Sequence, residues 1–188
     1  GQTVVTSGYD DTLIWWPVAA EKPEPIHKVK AHKGWIRALA VSPDGTILAS
    51  GGNDRMVKLW NMKDGSLIRE MSKPHELDVY SLAFHPHDGQ LLSGDLMGKV
   101  HQWTVADGKL TRVLEAKDLH TYNGGQQVHY GGIRSIAFTP DGKQMACAGL
   151  TKATNPLGAV NEPMVVRFDY EPGKILKKHM IDGVKGIA

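Results

Sequence analysis

Tryptophan recurs at a nearly constant interval in this chain, and that recurrence limits the possible folds more than any other feature. Trp16, Trp60 and Trp103 are separated by 44 and 43 residues. A hydroxyl side chain lies 10 residues before each tryptophan, at Thr6, Ser50 and Ser93. Self-similarity at this period is typical of architectures that stack copies of one supersecondary unit. The chain is therefore expected to consist of such copies.

Further positions repeat in step with the tryptophans. An alternating apolar run begins 14 residues before Ser50 and Ser93, and a histidine, His32 or His75, precedes each run by four residues. A period of two predicts β-strands, and the recurring Asp-Gly pairs predict tight turns between them. We therefore expect four strands per unit, named a to d. In the clearest unit they cover about 35–41, 46–51, 56–61 and 66–71.

This clearest unit runs from Ala31 to Asn61 and resembles a WD40 repeat. Ala31-His32 stands where the family usually has Gly-His, and Trp60-Asn61 stands where it usually has Trp-Asp. The resemblance implies an all-β fold, a β-propeller of four-stranded antiparallel blades. The chain holds about four blades' worth, which favours a segment of a larger propeller of seven or eight blades. The alternative is a closed four-bladed ring, in which a strand at 184–188 lies beside strand 3–7.

The repeats divide the chain into one propeller segment spanning 1–188. The predicted parts are strands b to d of a blade (1–30), two complete blades (31–73 and 74–115), an enlarged blade (116–178) and the start of a next strand a (179–188). The enlarged blade carries two extra stretches, 116–128 before strand a and 150–163 between strands b and c.

The resemblance also implies a hydrogen-bonded tetrad in each blade. In the clearest unit its members are Trp60, Ser50, His32 and Asp54, which form one chain of donors and acceptors from the indole to the carboxylate. The set also contains the residue types of a hydrolase triad. A G-x-S-x-G elbow and an oxyanion donor pair are lacking, and the serine would sit within a strand. The tetrad is therefore expected to be structural, and no catalytic residue is predicted.

The other blades keep parts of this tetrad. The first keeps Thr6, Asp10 and Trp16, the third keeps His75, Ser93 and Trp103, and the fourth keeps His129. Met97 is expected at the acidic position of the third blade, and Cys147 and Phe168 replace the serine and the tryptophan of the fourth. Blades with incomplete tetrads are expected to depend more on apolar packing.

Function is expected on the face where the d–a and b–c connections emerge, because both extra stretches belong to such connections. Long loops on a rigid scaffold commonly carry binding residues, and exposed aromatic residues are favoured anchors. The candidate partner-binding residues are Tyr9, Trp35, Asn53, Asp78, Leu96, Tyr122, Tyr130, Asn155 and Asn161. For Trp35, packing against a neighbouring blade is an equal alternative.

The composition limits the classes of partner that can be expected. The 22 basic and 20 acidic residues nearly cancel, which argues against nucleic acid or an anionic membrane as the partner. The single cysteine forms no internal disulfide, and no apolar run approaches the ~20 residues of a membrane helix. A cytoplasmic location is therefore favoured. His85-Pro86-His87 lacks further ligands at metal-site spacing, so neither a metal nor a cofactor is expected.

The predicted function is a non-catalytic protein–protein interaction scaffold whose partner is another protein or a peptide. The remaining propeller blades are expected in the full-length protein. The alternative is a sensory or regulatory propeller domain of a larger enzyme or electron-transfer protein, with the catalytic or cofactor residues outside this chain. Both rest on analogy at the level of the fold, since one fold hosts many functions.

Overall fold

Strands form almost all of the regular structure of this protein. The computed structural model describes residues 2–152 and 161–180, and their only helical element is the 3-10 turn Lys117–Leu119. The expectation of an all-β fold is confirmed. Within the described residues, no helix is long and apolar enough to cross a membrane.

In the described part of the chain, seventeen strands form four large sheets and one hairpin. The first sheet holds β1 Thr3–Ser7, β2 Thr12–Pro17 and β3 His27–Lys30. The second holds β4 Ile36–Val41, β5 Ile47–Gly52, β6 Val57–Asn61 and β7 Leu67–Glu70. The third holds β8 Val79–Phe84, β9 Gln90–Asp95, β10 Lys99–Thr104 and β11 Leu110–Glu115. The hairpin is β12 His120–Asn123 with β13 Val128–Gly131, and the fourth sheet holds β14 Ile133–Phe138, β15 Gln144–Thr151, β16 Glu162–Asp169 and β17 Lys174–Met180.

Each large sheet is an antiparallel meander, as expected of a propeller blade. The strands of the second sheet lie within one residue of the predicted starts and ends. The Asp-Gly turns are also as predicted, since their glycines have φ between 68° and 74°. Such a backbone is open to glycine and strained for other residues, which explains the recurrence of this dipeptide at the reversals.

The hydrophobic core lies between consecutive sheets. Leu13 and Trp15 of the first sheet pack against Leu48 and Trp60 of the second. A second cluster joins the second and third sheets, and the largest joins the third and fourth. The innermost strands β4, β8 and β14 also pack side by side. Central strands such as β5 are buried along nearly their whole length because sheets cover both faces, whereas β17 is exposed throughout.

A β-bulge recurs near the start of the innermost strand. In β4, β8 and β14 the register shifts between the first and third residues of the strand. The extra residues are Arg37, Tyr80 and Arg134. A bulge locally twists its strand and re-aims a side chain, so these three side chains depart from the regular alternation in the same way.

The first of the two predicted extra stretches is largely folded. It contains the 3-10 turn and β12, and it ends at Val128, the first residue of β13. The β12–β13 hairpin contacts β15. The second stretch lies mostly at 153–160, outside the described residues, and so does the predicted strand at 184–188.

Candidate interaction face

The tetrad residues of the second sheet lie together at hydrogen-bond distance. Trp60 Nε1 donates to Ser50 Oγ over 2.8 Å, and Ser50 Oγ lies 2.7 Å from His32 Nε2. His32 Nδ1 lies 2.8 Å from Asp54 Oδ1. Burial disfavours the charge of Asp54, but hydrogen bonds from His32 and from the backbone N–H groups of Lys33 and Met56 outweigh it and hold its pKa below the ordinary value.

This geometry argues against a nucleophilic role for the serine. Ser50 is 0% exposed, and its oxygen is shared between an indole N–H and an imidazole. A substrate carbonyl has no access to an oxygen enclosed in this way. The arrangement instead links strands β5 and β6 to the connection that precedes β4.

The third sheet contains a complete tetrad, which corrects the expectation that Met97 replaces the acid. Trp103 Nε1 donates to Ser93 Oγ over 2.7 Å, and His75 Nε2 lies 2.6 Å from the same oxygen. His75 Nδ1 lies 2.9 Å from Asp95 Oδ2. Asp95 belongs to β9 itself, two residues after the serine, and is fully buried.

A second imidazole stacks on this tetrad. The ring centroids of His101 and His75 are 3.7 Å apart, with an interplanar angle of 15°. Burial, reinforced by repulsion from His75, lowers the pKa of His101 to about 4. His101 is therefore a neutral, buried ring at neutral pH.

The tetrads of the first and fourth sheets are partial. Trp16 Nε1 donates to Thr6 Oγ1 over 2.8 Å at an exposed position. Asp10 is exposed, and no hydrogen bond of its side chain is found among the described residues. The assignment of His129 to a tetrad is wrong, because its Nδ1 lies 2.9 Å from His120 Nε2 across the β12–β13 hairpin. Burial raises the pKa of the Cys147 thiol to about 12, so this residue acts as a core side chain.

The d–a and b–c connections meet on one face, here called the loop face. It is built from residues 8–11, 31–35, 53–56, 72–78 and 96–98 with the β12–β13 hairpin. The N–H of Asn53 donates to the carbonyl of Trp35, and the N–H of Leu96 donates to the carbonyl of Asp78. The hairpin reaches the end of β15 beside the second extra stretch, since Gly131 packs against the carbonyl of Leu150.

Two exposed aromatic rings lie next to each other on the loop face. Tyr9 is 75% exposed and Trp35 is 42% exposed, and their ring centroids are 4.3 Å apart. The Trp35 ring therefore packs against a residue of the neighbouring blade, as the alternative expected, and still leaves part of its surface exposed. Tyr9 comes from the first sheet and Trp35 from the second, so the pair spans two sheets.

Several other predicted candidates have different surroundings. Tyr122 is 52% exposed and lies against His129. Tyr130 and Asn161 are buried, with exposures of 6% and 1%, so the prediction that they offer surface contacts is wrong. Asn155 lies outside the described residues. Asn53, Asp78 and Leu96 are half-buried.

The structure adds residues that the sequence did not single out. Arg37, a bulge residue, lies against both Trp35 and Tyr80, and Arg134 lies against Tyr80. In the sequence they share one signal, a place directly after the apolar residue that starts strand a. That signal predicts no ligand, because the three side chains are chemically unlike.

The opposite face contains the His-Pro-His sequence. His85 Nε2 lies 3.1 Å from the carbonyl of Gly142, and His87 Nε2 lies 2.8 Å from the carbonyl of Pro140. Both rings therefore link the third sheet to the fourth. Among the described residues, no group of three or more metal-ligating side chains is placed to hold an ion.

The repeated tetrads and four-stranded sheets agree with a comparison against protein-family models. The model described as "WD domain, G-beta repeat" matches residues 23–61, 65–104 and 117–152. The chain belongs to the WD40-repeat family. These matches cover more than half of the chain.

Curated WD40 relatives include the "Periodic tryptophan protein 2 homolog" of Schizosaccharomyces pombe, 26% identical over 95% of this chain and 20% of that protein. "Eukaryotic translation initiation factor 3 subunit I" of Bombyx mori is 31% identical over 79% of this chain and 44% of that protein. "Small ribosomal subunit protein RACK1y" of Oryza sativa is 33% identical over 45% of this chain and 24% of that protein. This WD40 chain spans less than half the length of each.

A solved structure shows the same fold. The crystal structure of the computationally designed Ika8 protein matches all of this WD40 chain and 48% of its own chain, with a TM-score of 0.66 and 23% identity. At that identity the likeness concerns the fold alone.

Proposed function

We propose that this WD40 chain is a non-catalytic interaction module that captures a protein or peptide partner on the loop face, with Trp35 and Tyr9 as the anchor. The observation that carries the proposal is the exposure of this touching aromatic pair on a rigid scaffold. Large rings with few rotatable bonds bury much apolar area at little entropic cost, which is why Trp and Tyr dominate binding hot spots.

The surroundings of Trp35 support this role. Its carbonyl accepts the N–H of Asn53, and the guanidinium of Arg37 lies 4.8 Å from the centre of its ring. Gly52 has no side chain and so admits the Trp35 carbonyl at very close range. The indole is therefore held at a defined place before a partner arrives, which lowers the entropic cost of binding.

The relatives support a role in assemblies. The names of two of them describe a subunit of an initiation factor and a protein of the small ribosomal subunit. We infer the same general kind of role for this chain, which is binding within a protein assembly.

Crosslinked affinity capture followed by mass spectrometry tests the proposal, with Trp35→Ala as the variant. A hot-spot truncation costs about 2 kcal/mol or more, which weakens partner capture roughly 30-fold. The matched control is Val113→Ala, because Val113 is similarly exposed at 41% but lies on the outer strand β11. Thermal melting of both variants verifies that they fold. Equal capture by the wild type, Trp35→Ala and Val113→Ala would show that the loop face is not the binding face.

A further inference from the structure

A ladder of alternating aromatic rings and guanidinium groups crosses three sheets beside the Tyr9–Trp35 pair. Arg37 Cζ lies 4.8 Å from the centre of the Trp35 ring and 4.6 Å from that of Tyr80. Arg134 Cζ lies 4.0 Å from the centre of the Tyr80 ring. We call Trp35, Arg37, Tyr80 and Arg134 the arginine–aromatic stack.

The stack is a product of the repeated bulge. Arg37, Tyr80 and Arg134 are the extra residues of β4, β8 and β14, and these strands pack side by side. One backbone irregularity, repeated in three blades, thus brings three side chains to one surface. Bulges that re-aim side chains are common beside functional sites.

The guanidinium groups of Arg37 and Arg134 are held against aromatic rings, but their positive charges are incompletely neutralised by acidic residues. Arg37 Nε donates to Asn53 Oδ1 over 2.5 Å and lies 3.9 Å from Asp78 Oδ2. Over the ranges 2–152 and 161–180, Asp78 is the one acidic residue within ion-pair distance of Arg37, and no hydrogen bond uses the terminal nitrogens of Arg37. Arg134 is exposed, and in the same ranges it has no ion pair and no hydrogen bond from its side chain.

This combination favours an anionic ligand. Stacking on a ring orients a guanidinium through its flat face and leaves the N–H groups at its edge free to donate. Those N–H groups match the two oxygens of a carboxylate, and charge-assisted bonds of this kind are among the stronger ones in proteins. Asp78 offsets part of the charge of Arg37, so Arg134 is the principal cation of the stack.

We propose that the arginine–aromatic stack binds a glutamate or aspartate side chain of a linear acidic peptide segment, whose neighbouring apolar residue packs on Trp35 and Tyr9. The inference deepens the proposed function and rests on it for the choice of face. It adds the chemistry of the partner. A basic segment would be repelled by the guanidinium group of Arg134 and by the partly offset one of Arg37, so the stack also selects against the wrong charge.

Selection from a displayed random-peptide library on the immobilised protein tests the proposal. We expect the selected peptides to be enriched in Asp and Glu next to an apolar residue. A selected peptide and its Glu→Gln counterpart are then titrated by fluorescence anisotropy. Loss of the carboxylate is expected to raise the Kd at least tenfold. Moderate salt is expected to weaken the binding of the acidic peptide and to leave the binding of its Glu→Gln counterpart unchanged.

The decisive variant is Arg134→Gln, and its matched control is Arg167→Gln. Both remove one positive charge from an exposed arginine of the fourth sheet, but Arg167 lies in β16, outside the stack. We expect Arg134→Gln to raise the Kd of the acidic peptide at least tenfold and Arg167→Gln to leave it within about twofold. The melting temperature of each variant shows whether the stack merely joins blades.

The outcomes separate this inference from the proposed function. If the selected peptides lack acidic residues but their binding still depends on Trp35, the loop face would remain the binding face and the acidic specificity would be refuted. Equal weakening by Arg134→Gln and Arg167→Gln would reduce the effect to net charge and overturn the stack as the site. A lower melting temperature of Arg134→Gln with unchanged peptide affinity would make the stack structural. Failure to select any peptide would also contradict this inference, whereas affinity capture tests the proposed function independently.

Discussion

Replacing Asp95 by alanine is the sharpest test of how the third sheet is held together. The carboxylate is fully buried and accepts from His75 Nδ1 and from the backbone N–H groups of Met97 and Lys99, each over 2.9 Å. Alanine leaves one buried donor and two partly buried donors without an acceptor, at about 1–3 kcal/mol for each donor that water does not reach. We expect a loss of about 3–5 kcal/mol in the free energy of unfolding, or a fall in Tm of roughly 10 °C at this chain length.

Urea titration followed by tryptophan fluorescence measures this loss, and Met97→Ala is the matched control. Met97 contributes only its backbone N–H to Asp95, which alanine keeps, so we expect this variant to lose less than about 1 kcal/mol. The slope of the transition should stay constant between the variants, because the surface exposed on unfolding hardly changes. Equal losses from the two substitutions would refute the view that Asp95 is the acid of this tetrad.

Two further predictions concern acid stability and a close backbone contact. His101 has a lowered pKa of about 4 in the folded chain. As the pH falls from about 6.5 towards 4, this histidine is protonated in the unfolded state but stays neutral in the folded state. The free energy of unfolding therefore falls by up to about 1.4 kcal/mol per pH unit. His101→Gln should flatten the urea-derived stability between pH 7 and 5, and an unchanged slope would exclude this histidine as the cause. Gly52→Ala should lower the melting temperature by several degrees, because a Cβ there would overlap the carbonyl oxygen of Trp35, whereas Gly124→Ala has space and should melt like the wild type. A tolerated Gly52→Ala would show that the Trp35 backbone is not held in place by this contact.

The fold was predictable from the sequence because several independent signals for it recur in each repeat. A period of two, a glycine turn and a tryptophan at a constant interval all indicate the same four-stranded unit, and local and global preferences agree. The second sheet illustrates this, because the residues grouped by spacing, from His32 to Trp60, lie within hydrogen-bond distance of one another. Stacked repeats also place their cores between neighbours, where the apolar residues of the pattern lie.

Asp95 was not predicted from the sequence as the acid of the third sheet's tetrad, for a geometric reason. The resemblance places the acid four residues after the serine, in the b–c turn, as with Ser50 and Asp54. In the third sheet the acid comes two residues after Ser93, still within the strand. Residues at i and i+2 of a strand lie on the same side, so this carboxylate reaches the same imidazole from a different position. A fixed motif therefore misses it, whereas the rule of strand periodicity finds it.

The arginine–aromatic stack was hidden for the opposite reason. A bulge adds a residue to one strand of a pair but does not interrupt the alternating pattern of apolar residues in the sequence. Arg37, Tyr80 and Arg134 therefore look like ordinary outward-facing positions of strand a. Only the partner strand reveals the register shift. These positions share a backbone geometry in three blades but differ in side chain, while the core positions around them stay apolar. Packing constrains the core positions in every copy, and the bulge positions are free of that constraint. Differences among copies at one structurally equivalent, at least partly exposed position are therefore where a repeat fold can acquire specificity without loss of stability.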